Sequence, residues 1–333
     1  MTKLQNNNKK RGLHVIVLGG TIDFESNAFL EIESKGFDMM VPRKHSIVPK
    51  FLNERIAYSY GHVHFSRVDI VDSRNITEKH KIKLIEKIEK SPFDHILVTM
   101  GTKNIHKIRN LIETKTSHLK DKVIGLVGSR QPLSNYQSDA GFNLGFTIGK
   151  LQTLKPGVYS FHPDKIRQSV IKTLKNVVFV ITGGTIESYY DPGAGHESPY
   201  QKSIIPDYFK KALGIVPDEP NFVFREVSMK DSRNLTQEDF SRLTAESIKN
   251  KYKKQIIVAG TYGIPDLSRR YKYMMGKELI PKNAYVFTGS MLPEDTYLND
   301  GWYNLGYVIG KIEILEDNSL VSMHSWITPS SNV

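Results

Sequence analysis

Cysteine is absent from all 333 residues, which excludes disulfide staples, thiolate metal sites and thiol nucleophiles together and fits a reducing compartment such as the cytoplasm. No apolar run approaches the ~18 residues of a membrane helix. After the basic start at Lys9-Lys10-Arg11, the stretch His14 to Leu18 is too short for a signal-peptide core. Histidines are not grouped with paired carboxylates: His62 and His64 alternate in a strand-like run, while His106, His162, His196 and His324 are scattered. No metal or other cofactor is expected from that pattern. Acidic residues are also short, 35 against 46 Lys and Arg, a formal charge of +11. The lysines are interspersed with glutamate, as over Lys79 to Lys90, which reads as a solvated surface rather than a nucleic-acid tract. Tyr271, Tyr273, Met274 and Met275 beside Arg269, Arg270 and Lys272 read as an amphipathic helix before they read as a nucleic-acid patch. The apolar share, 39%, is that of a globular protein, and at ~150 residues per domain the length suggests two domains.

What the chain does have is an internal repeat. Gly19-Gly20-Thr21-Ile22-Asp23 returns 164 residues later as Gly183-Gly184-Thr185-Ile186-Glu187, and Asp72-Ser73-Arg74-Asn75 returns unchanged after 159 as Asp231-Ser232-Arg233-Asn234. Gly101-Thr102 recurs as Gly260-Thr261, again after 159. Gly128-Ser129-x-x-Pro132 and Asp139-x-x-x-Asn143-Leu144-Gly145 recur after 161, from Gly289 and Asp300 respectively. Four landmarks in one order at nearly constant separation mark a tandem duplication. The repeats are expected over 12–160 and 176–333, with Pro156-Gly157 and Pro163 punctuating the polar stretch Leu154 to Lys175 between them.

Each landmark closes an apolar run: Val15 to Leu18, Val177 to Ile181, Ile96 to Val98 and Ile256 to Ala259 read as buried strands. Thr77 and Thr236 read as N-caps of helices carrying Leu84, Ile85 and Ile88, or Phe240, Leu243 and Ile248. Alternating strands and helices predict a mostly parallel sheet covered on both faces, once per repeat, and ligands of such sheets lie at the carboxyl ends of the strands. All the landmarks fall at those ends. A strand entering Gly-Gly-Thr offers free backbone amides and a hydroxyl, suited either to an anion or to an alcohol nucleophile beside an oxyanion site. The same residues have a structural reading, in which the glycines relieve a crowded turn and the threonine caps a helix. What weighs toward a site is the company of Ser73 and Thr102, or Ser232 and Thr261, on the same sheet edge.

Thr182-Gly-Gly-Thr-Ile186, Asp231-Ser232, Gly260-Thr261 and Thr288-Gly-Ser-Met-x-Pro293 together resemble the bacterial-type L-asparaginase and glutaminase amidohydrolases. The resemblance covers essentially the whole chain, twice, and is closest to the short single-domain asparaginases through Phe142-Asn-Leu-Gly-Phe146, Leu151-Gln-Thr-Leu154 and Pro156-Gly-Val-Tyr159. It implies two tandem three-layer (αβα) Rossmann-like units of the asparaginase amino-terminal type, packed as a covalent pseudo-dimer that leaves further homo-oligomerisation open. It also implies release of ammonia from asparagine or glutamine, with asparagine, aspartate or glutamine as the small-molecule partner. The implied nucleophiles are Thr185 and Thr21 within Gly184-Thr185 and Gly20-Thr21, and the assisting tyrosine is Tyr190, with Tyr189 or Tyr200 as substitutes. The first repeat has Ser26 at that position. Ser232 and Ser73 would grip the substrate carboxylate, Asn234 and Asn75 stand where a carboxylate is common, and Thr261 and Thr102, after Gly260 and Gly101, would assist.

The departures bear on turnover. The family's aspartate after the second threonine is here Lys103 or Tyr262, and neither replaces a carboxylate. The family's lysine position falls at Gln168 in the first repeat, with Lys165 nearby, and the second repeat reaches Val333 before it. The usual carboxyl-terminal asparaginase domain is also replaced in sequence by the second repeat. Loss of one charge-relay member costs ~10⁴-fold in triad enzymes. Activity is therefore expected to be weak or degenerate, the alternative being an inactive asparaginase-like protein that binds an acidic amino acid or a partner protein.

Overall fold

A computed structural model describes residues 12–26, 40–56, 60–175, 177–216, 223–249, 252–317 and 319–322. The basic start, His324 and the side chain of Ser26 lie outside the described residues. The first repeat runs β1 (Gly12–Gly19), β2 (Phe24–Ser26), β3 (Met40–Pro42), α1 (Val48–Ile56), β4 (His62–Val71), α2 (Glu78–Glu89), β5 (His95–Thr99), α3 (Ile105–Lys115), β6 (Val123–Val127), α4 (Asp139–Leu151) and β7 (Gly157–Phe161). After α5 (Pro163–Leu174), the second runs β8 (Val177–Gly183), β9 (Ser188–Asp191), β10 (His196–Pro199), α6 (Ile205–Lys211), β11 (Val223–Lys230), α7 (Gln237–Lys249), β12 (Lys254–Val258), α8 (Ile264–Gly276), β13 (Ala284–Thr288), α9 (Gly301–Lys311) and β14 (Leu320–Ser322).

Each repeat builds one five-stranded sheet, in the order β4-β1-β5-β6-β7 and β11-β8-β12-β13-β14, with every neighbouring pair parallel. The chain is thus two tandem α/β units of one topology. The strands are apolar throughout because both sheet faces are covered. Along β1, Leu13 and Val15 join one buried cluster while Ile16 and Leu18 join the other, the two-residue alternation of a pleated strand. Thr77 caps α2 through a reciprocal box with His80, whose ring accepts from the Thr77 amide at 3.1 Å. Thr236 does the same for α7 with Asp239, the Thr236 amide reaching Asp239 Oδ2 at 2.8 Å. Leu84, Ile88 and Leu243 are buried, whereas Ile248, near the last turn of α7, is 53% exposed. In α8, Tyr271 and Met275 face the core while Tyr273 faces outward. The stretch Leu154 to Lys175 is regular structure rather than loop: Pro163 opens α5 from its first turn, where a missing N–H costs nothing.

The two repeats share a core. One buried cluster runs from Leu13, Val15 and Leu97 of the first sheet, through Phe142, Phe146 and Tyr303, to Phe179, Val258 and Val286 of the second. At its centre α4 lies against α9 at backbone distance. A Cβ on Gly145 would fall 2.0 Å from the Tyr303 carbonyl oxygen, and one on Gly306 would fall 2.2 Å from that of Phe142. A Cβ on Gly149 would fall 2.6 Å from Tyr307 O, and one on Gly310 2.5 Å from Phe146 O. These contacts exchange under the 161-residue shift, which is the reciprocity of a two-fold interface. Cross-repeat hydrogen bonds join the seam: Tyr208 Oη donates to Ser138 O at 3.0 Å, Tyr307 Oη to Gln152 Oε1 at 3.0 Å, and Thr173 Oγ1 to Glu313 Oε1 at 2.7 Å.

Candidate functional site

In both sheets the connections leave the first strand toward opposite sides, β4 on one and β5 on the other, or β11 and β12. A crevice opens at such a reversal beyond the carboxyl ends of the strands, and the glycine, serine and second threonine loops border it. Gly19 and Gly20 have φ of 89° and 82°, and Gly183 and Gly184 have 97° and 88°, conformations that L side chains rarely adopt. Close approach adds a second constraint. A Cβ on Gly20 would stand 2.1 Å from Gly101 N and one on Gly184 2.2 Å from Gly260 N. One on Gly101 would stand 2.7 Å from Ser73 Oγ, and one on Gly260 2.5 Å from Ser232 Oγ. Three loops distant in sequence therefore meet through glycine, twice.

The N-caps of the turns Thr21–Asp23 and Thr185–Glu187 are Gly20 and Gly184, and neither threonine hydroxyl is hydrogen-bonded among the described residues. The acids that follow hold the structure. Asp23 Oδ1 accepts from Ser46 Oγ at 2.7 Å and Ile47 N at 3.1 Å, at the start of α1. Glu187 accepts from Ser203 Oγ at 2.5 Å and Ile204 N at 2.8 Å, at the start of α6. Burial raises both, Glu187 to about 7.

The first-repeat loops enclose a cavity of about 380 Å³ that brings Thr21, Ser73, Gly101, Thr102 and Lys103 together with Arg130. Its acid, Asp72, is bonded within its own loop, accepting from Arg74 N at 2.7 Å and from Arg74 Nε and Nη2 at 3.0 Å. The Arg74 side chain holds the Asp72 carboxyl below the usual range. Arg130 is likewise paired, with Asp164, while Lys103 makes no ion pair among the described residues. In the second repeat Asp231 is held by Arg233 in the same way. There Ser232 Oγ accepts from Gly263 N at 3.1 Å, and Tyr262, 77% exposed, lies with its ring 5.6 Å from the Arg233 guanidinium.

Asn75 and Asn234 are exposed on these turns, and Tyr190 is 52% exposed with its amide bonded to the Asp295 carboxylate. Tyr200, whose ring lies 5.1 Å from that of Tyr189, instead reaches Glu294 Oε2 at 3.4 Å, and burial pushes its phenol up to about 12. The Asp-x-x-x-Asn landmark proves to be scaffold. Asp139 accepts from the amides of Arg130 and Gln131 at 3.0 Å, and Asn143 Nδ2 donates to Gly128 O at 3.1 Å and Asp139 at 2.9 Å. Asp300 and Asn304 repeat these bonds on the Gly289 loop. Glu294, a buried acid at the seam, was not singled out in the sequence, and it has no carboxylate counterpart in the first repeat, where Leu133 stands. Among the described residues no three His, Asp or Glu side chains gather as a metal site.

The family described as "Asparaginase, N-terminal" matches residues 12–166 and again 176–333. This chain belongs to the asparaginase family. The match, in two copies, coincides with the two sheets of this asparaginase-family chain. Among solved structures it is similar to L-asparaginase I from Vibrio cholerae O1 biovar eltor, at 19% identity over 44% of each chain with a TM-score of 0.34. It is also similar to a probable cytoplasmic L-asparaginase from Campylobacter jejuni, at 13% identity over 84% of this chain and 83% of that one, TM-score 0.32. The chain thus spans under half the length of the Vibrio protein it matches. No curated protein matches it. No described helix is long and apolar enough to cross a membrane.

Proposed function

We propose that the chain is an asparaginase-type amidohydrolase of low turnover, releasing ammonia from asparagine or glutamine in the cytoplasm, with its two units over 12–160 and 176–333. The observation that carries this reading is the twofold meeting of the Gly-Gly-Thr, Ser and Gly-Thr loops through glycine contacts. In the second repeat, Thr185 Oγ attacks the side-chain amide carbon, ammonia leaves, and water releases the acid from the acyl-threonine. Ser232 and Asn234 hold the amino-acid end and Thr261 lies beside the reacting group. Tyr190, or Tyr200 in its place, assists proton transfer. Thr21, Ser73, Asn75 and Thr102 hold the matching roles in the first repeat. Low turnover follows from electrostatics: the acids of the serine loops, Asp72 and Asp231, are occupied by Arg74 and Arg233, and Lys103 and Tyr262 stand where a carboxylate would activate a hydroxyl. A coupled ammonia assay with both amides tests this. Release that falls in Thr185→Ala supports it, and release indistinguishable from Thr185→Ala and Thr21→Ala controls rejects it.

A second reading has one observation in its favour. Lys103 lines the first-repeat cavity and makes no ion pair among the described residues, acting on the Asp72 carboxylate only from a distance, which suits binding of an acidic amino acid without hydrolysis. Calorimetry with aspartate and glutamate decides it, absence of heat removing the small-ligand form.

A further inference from the structure

Between α7 and α8 of the second repeat lies a groove of about 700 Å³. The buried side of these helices belongs to a cluster separate from the core that the repeats share, so the groove opens away from the seam. Its walls carry Phe240, Ile248, Tyr273 and Met274, of which Ile248 is 53% and Tyr273 63% exposed. Apolar side chains exposed singly are ordinary, whereas several lining one concave surface mark a place that takes a ligand or a partner. Arg269 and Arg270 line the same groove, and among the described residues no acid does. Asp266, one turn back, serves both guanidiniums, 2.8 Å from Arg270 Nε and 3.9 Å from Arg269 Nη2. Two cations against one carboxylate leave a positive charge unmatched at the groove. Both arginine side chains are about half exposed, and the Arg270 guanidinium lies 4.1 Å over the Phe240 ring, which puts charge directly against the apolar wall.

The first repeat shows that the fold does not require these walls. It has a groove of about 510 Å³ at the same place, between α2 and α3, but Lys81 stands there for Phe240 and Thr114 for Tyr273, each 159 residues earlier. Glu89 and Asn110 hold the positions of Ile248 and Arg269. The same helix pair therefore packs with a polar groove in one repeat and an apolar, arginine-edged groove in the other. The second-repeat volume falls within the ~300–1,000 Å³ of sites that enclose a small ligand, which are mostly apolar with a few polar groups that fix its orientation. Apolar walls ending at unmatched guanidiniums complement an elongated apolar molecule with an anionic end.

We infer that the groove between α7 and α8 binds a free straight-chain carboxylate, its hydrocarbon along Phe240, Ile248, Tyr273 and Met274 and its anionic end on Arg269 and Arg270. The site is independent of the amidohydrolase reading. Calorimetry on the full chain, with hexanoate, octanoate and decanoate kept below micelle formation, tests it. Decanoate is expected to bind once per chain, and each shortening by a pair of methylenes to weaken binding about tenfold. Decylammonium, with the same chain and the opposite charge, should bind about tenfold more weakly than decanoate. Ile248→Glu and Tyr273→Thr give exposed positions the residues that the first repeat carries there, so the fold is kept, and each should weaken decanoate about tenfold. Arg269→Asn should weaken it about threefold at low ionic strength and less as salt is added. Lys81→Ala, in the first-repeat groove, leaves it unchanged. The proposal is overturned if monomeric decanoate does not bind the wild-type chain, if decylammonium binds as tightly, or if binding in Ile248→Glu and Tyr273→Thr stays within about twofold of wild type. A wild-type dimer in sedimentation that Ile248→Glu separates, with no decanoate bound, makes the groove an interface between copies and overturns it as well. Should one of the two wall variants fail to fold by circular dichroism, the other decides.

Discussion

The contact between α4 and α9 makes a quantitative prediction about Gly145. Replacing it by alanine puts a methyl 2.0 Å from the Tyr303 carbonyl oxygen, an approach that must open by about 1.4 Å to reach the 3.4 Å of ordinary van der Waals contact. The obstacle is helix backbone, which cannot rotate aside, so the helices themselves must separate. A gap of 0.5–1 Å forfeits roughly a quarter to a half of each dispersion contact, and the side chains losing contact include Phe142, Phe146, Tyr303 and Tyr307, all buried. Against this stands the ~1 kcal/mol that alanine gains over glycine within a helix. Overpacking of this kind costs ~1–3 kcal/mol, occasionally more, and a rigid obstacle argues for a net loss of about 3 kcal/mol. Gly141→Ala is the control on the same helix: without a clash it should be neutral or stabilising by ~0.5–1 kcal/mol. Gly306→Ala, the two-fold equivalent, should cost about as much as Gly145→Ala, and the double variant less than the sum, because the first methyl already parts the helices. Urea unfolding followed by circular dichroism measures all four. A loss below about 0.5 kcal/mol for Gly145→Ala, within the range of ordinary surface substitutions, would refute a backbone-to-backbone seam.

Further outcomes are expected at individual sites. Because burial raises the Glu187 carboxyl from 4.5 to about 7, the folded chain holds a proton there that the unfolded chain releases. That contribution is complete below pH 4.5 and lost as pH rises through 7, an effect on the order of 3 kcal/mol; unfolding midpoints of Glu187→Gln against wild type from pH 5 to 8 should show the variant gaining relative stability with pH, and a flat difference contradicts it. Asn143→Ala removes both donors that hold Gly128 O and Asp139 and should cost about 2–4 kcal/mol in denaturant unfolding, since buried acceptors are left unpaired. Lys103→Ala should weaken aspartate binding about tenfold by calorimetry if the first-repeat cavity takes acidic amino acids, and an unchanged constant removes Lys103 from the site.

The duplication, the parallel strand–helix alternation, the helix starts at Thr77 and Thr236 and the family were legible in the chain alone. Apolar periodicity, capping chemistry and repeated motifs are local or pattern-level properties, which survive without knowledge of what packs against what. The positive φ glycines were legible as turns. Whether they also brought three loops into contact depended on sheet order, which local residues do not encode. The partners of the acids were decided by tertiary structure for the same reason. Only the folded turn shows Arg74 and Arg233 occupying Asp72 and Asp231. Asp23 and Glu187 became helix caps because residues some 20 positions later fold back over them. Glu294 gave no signal at all, because its significance is burial at a seam formed by both repeats. Burial of a charge and complementarity between repeats are sums over many distant residues, so they exist only once the chain has folded.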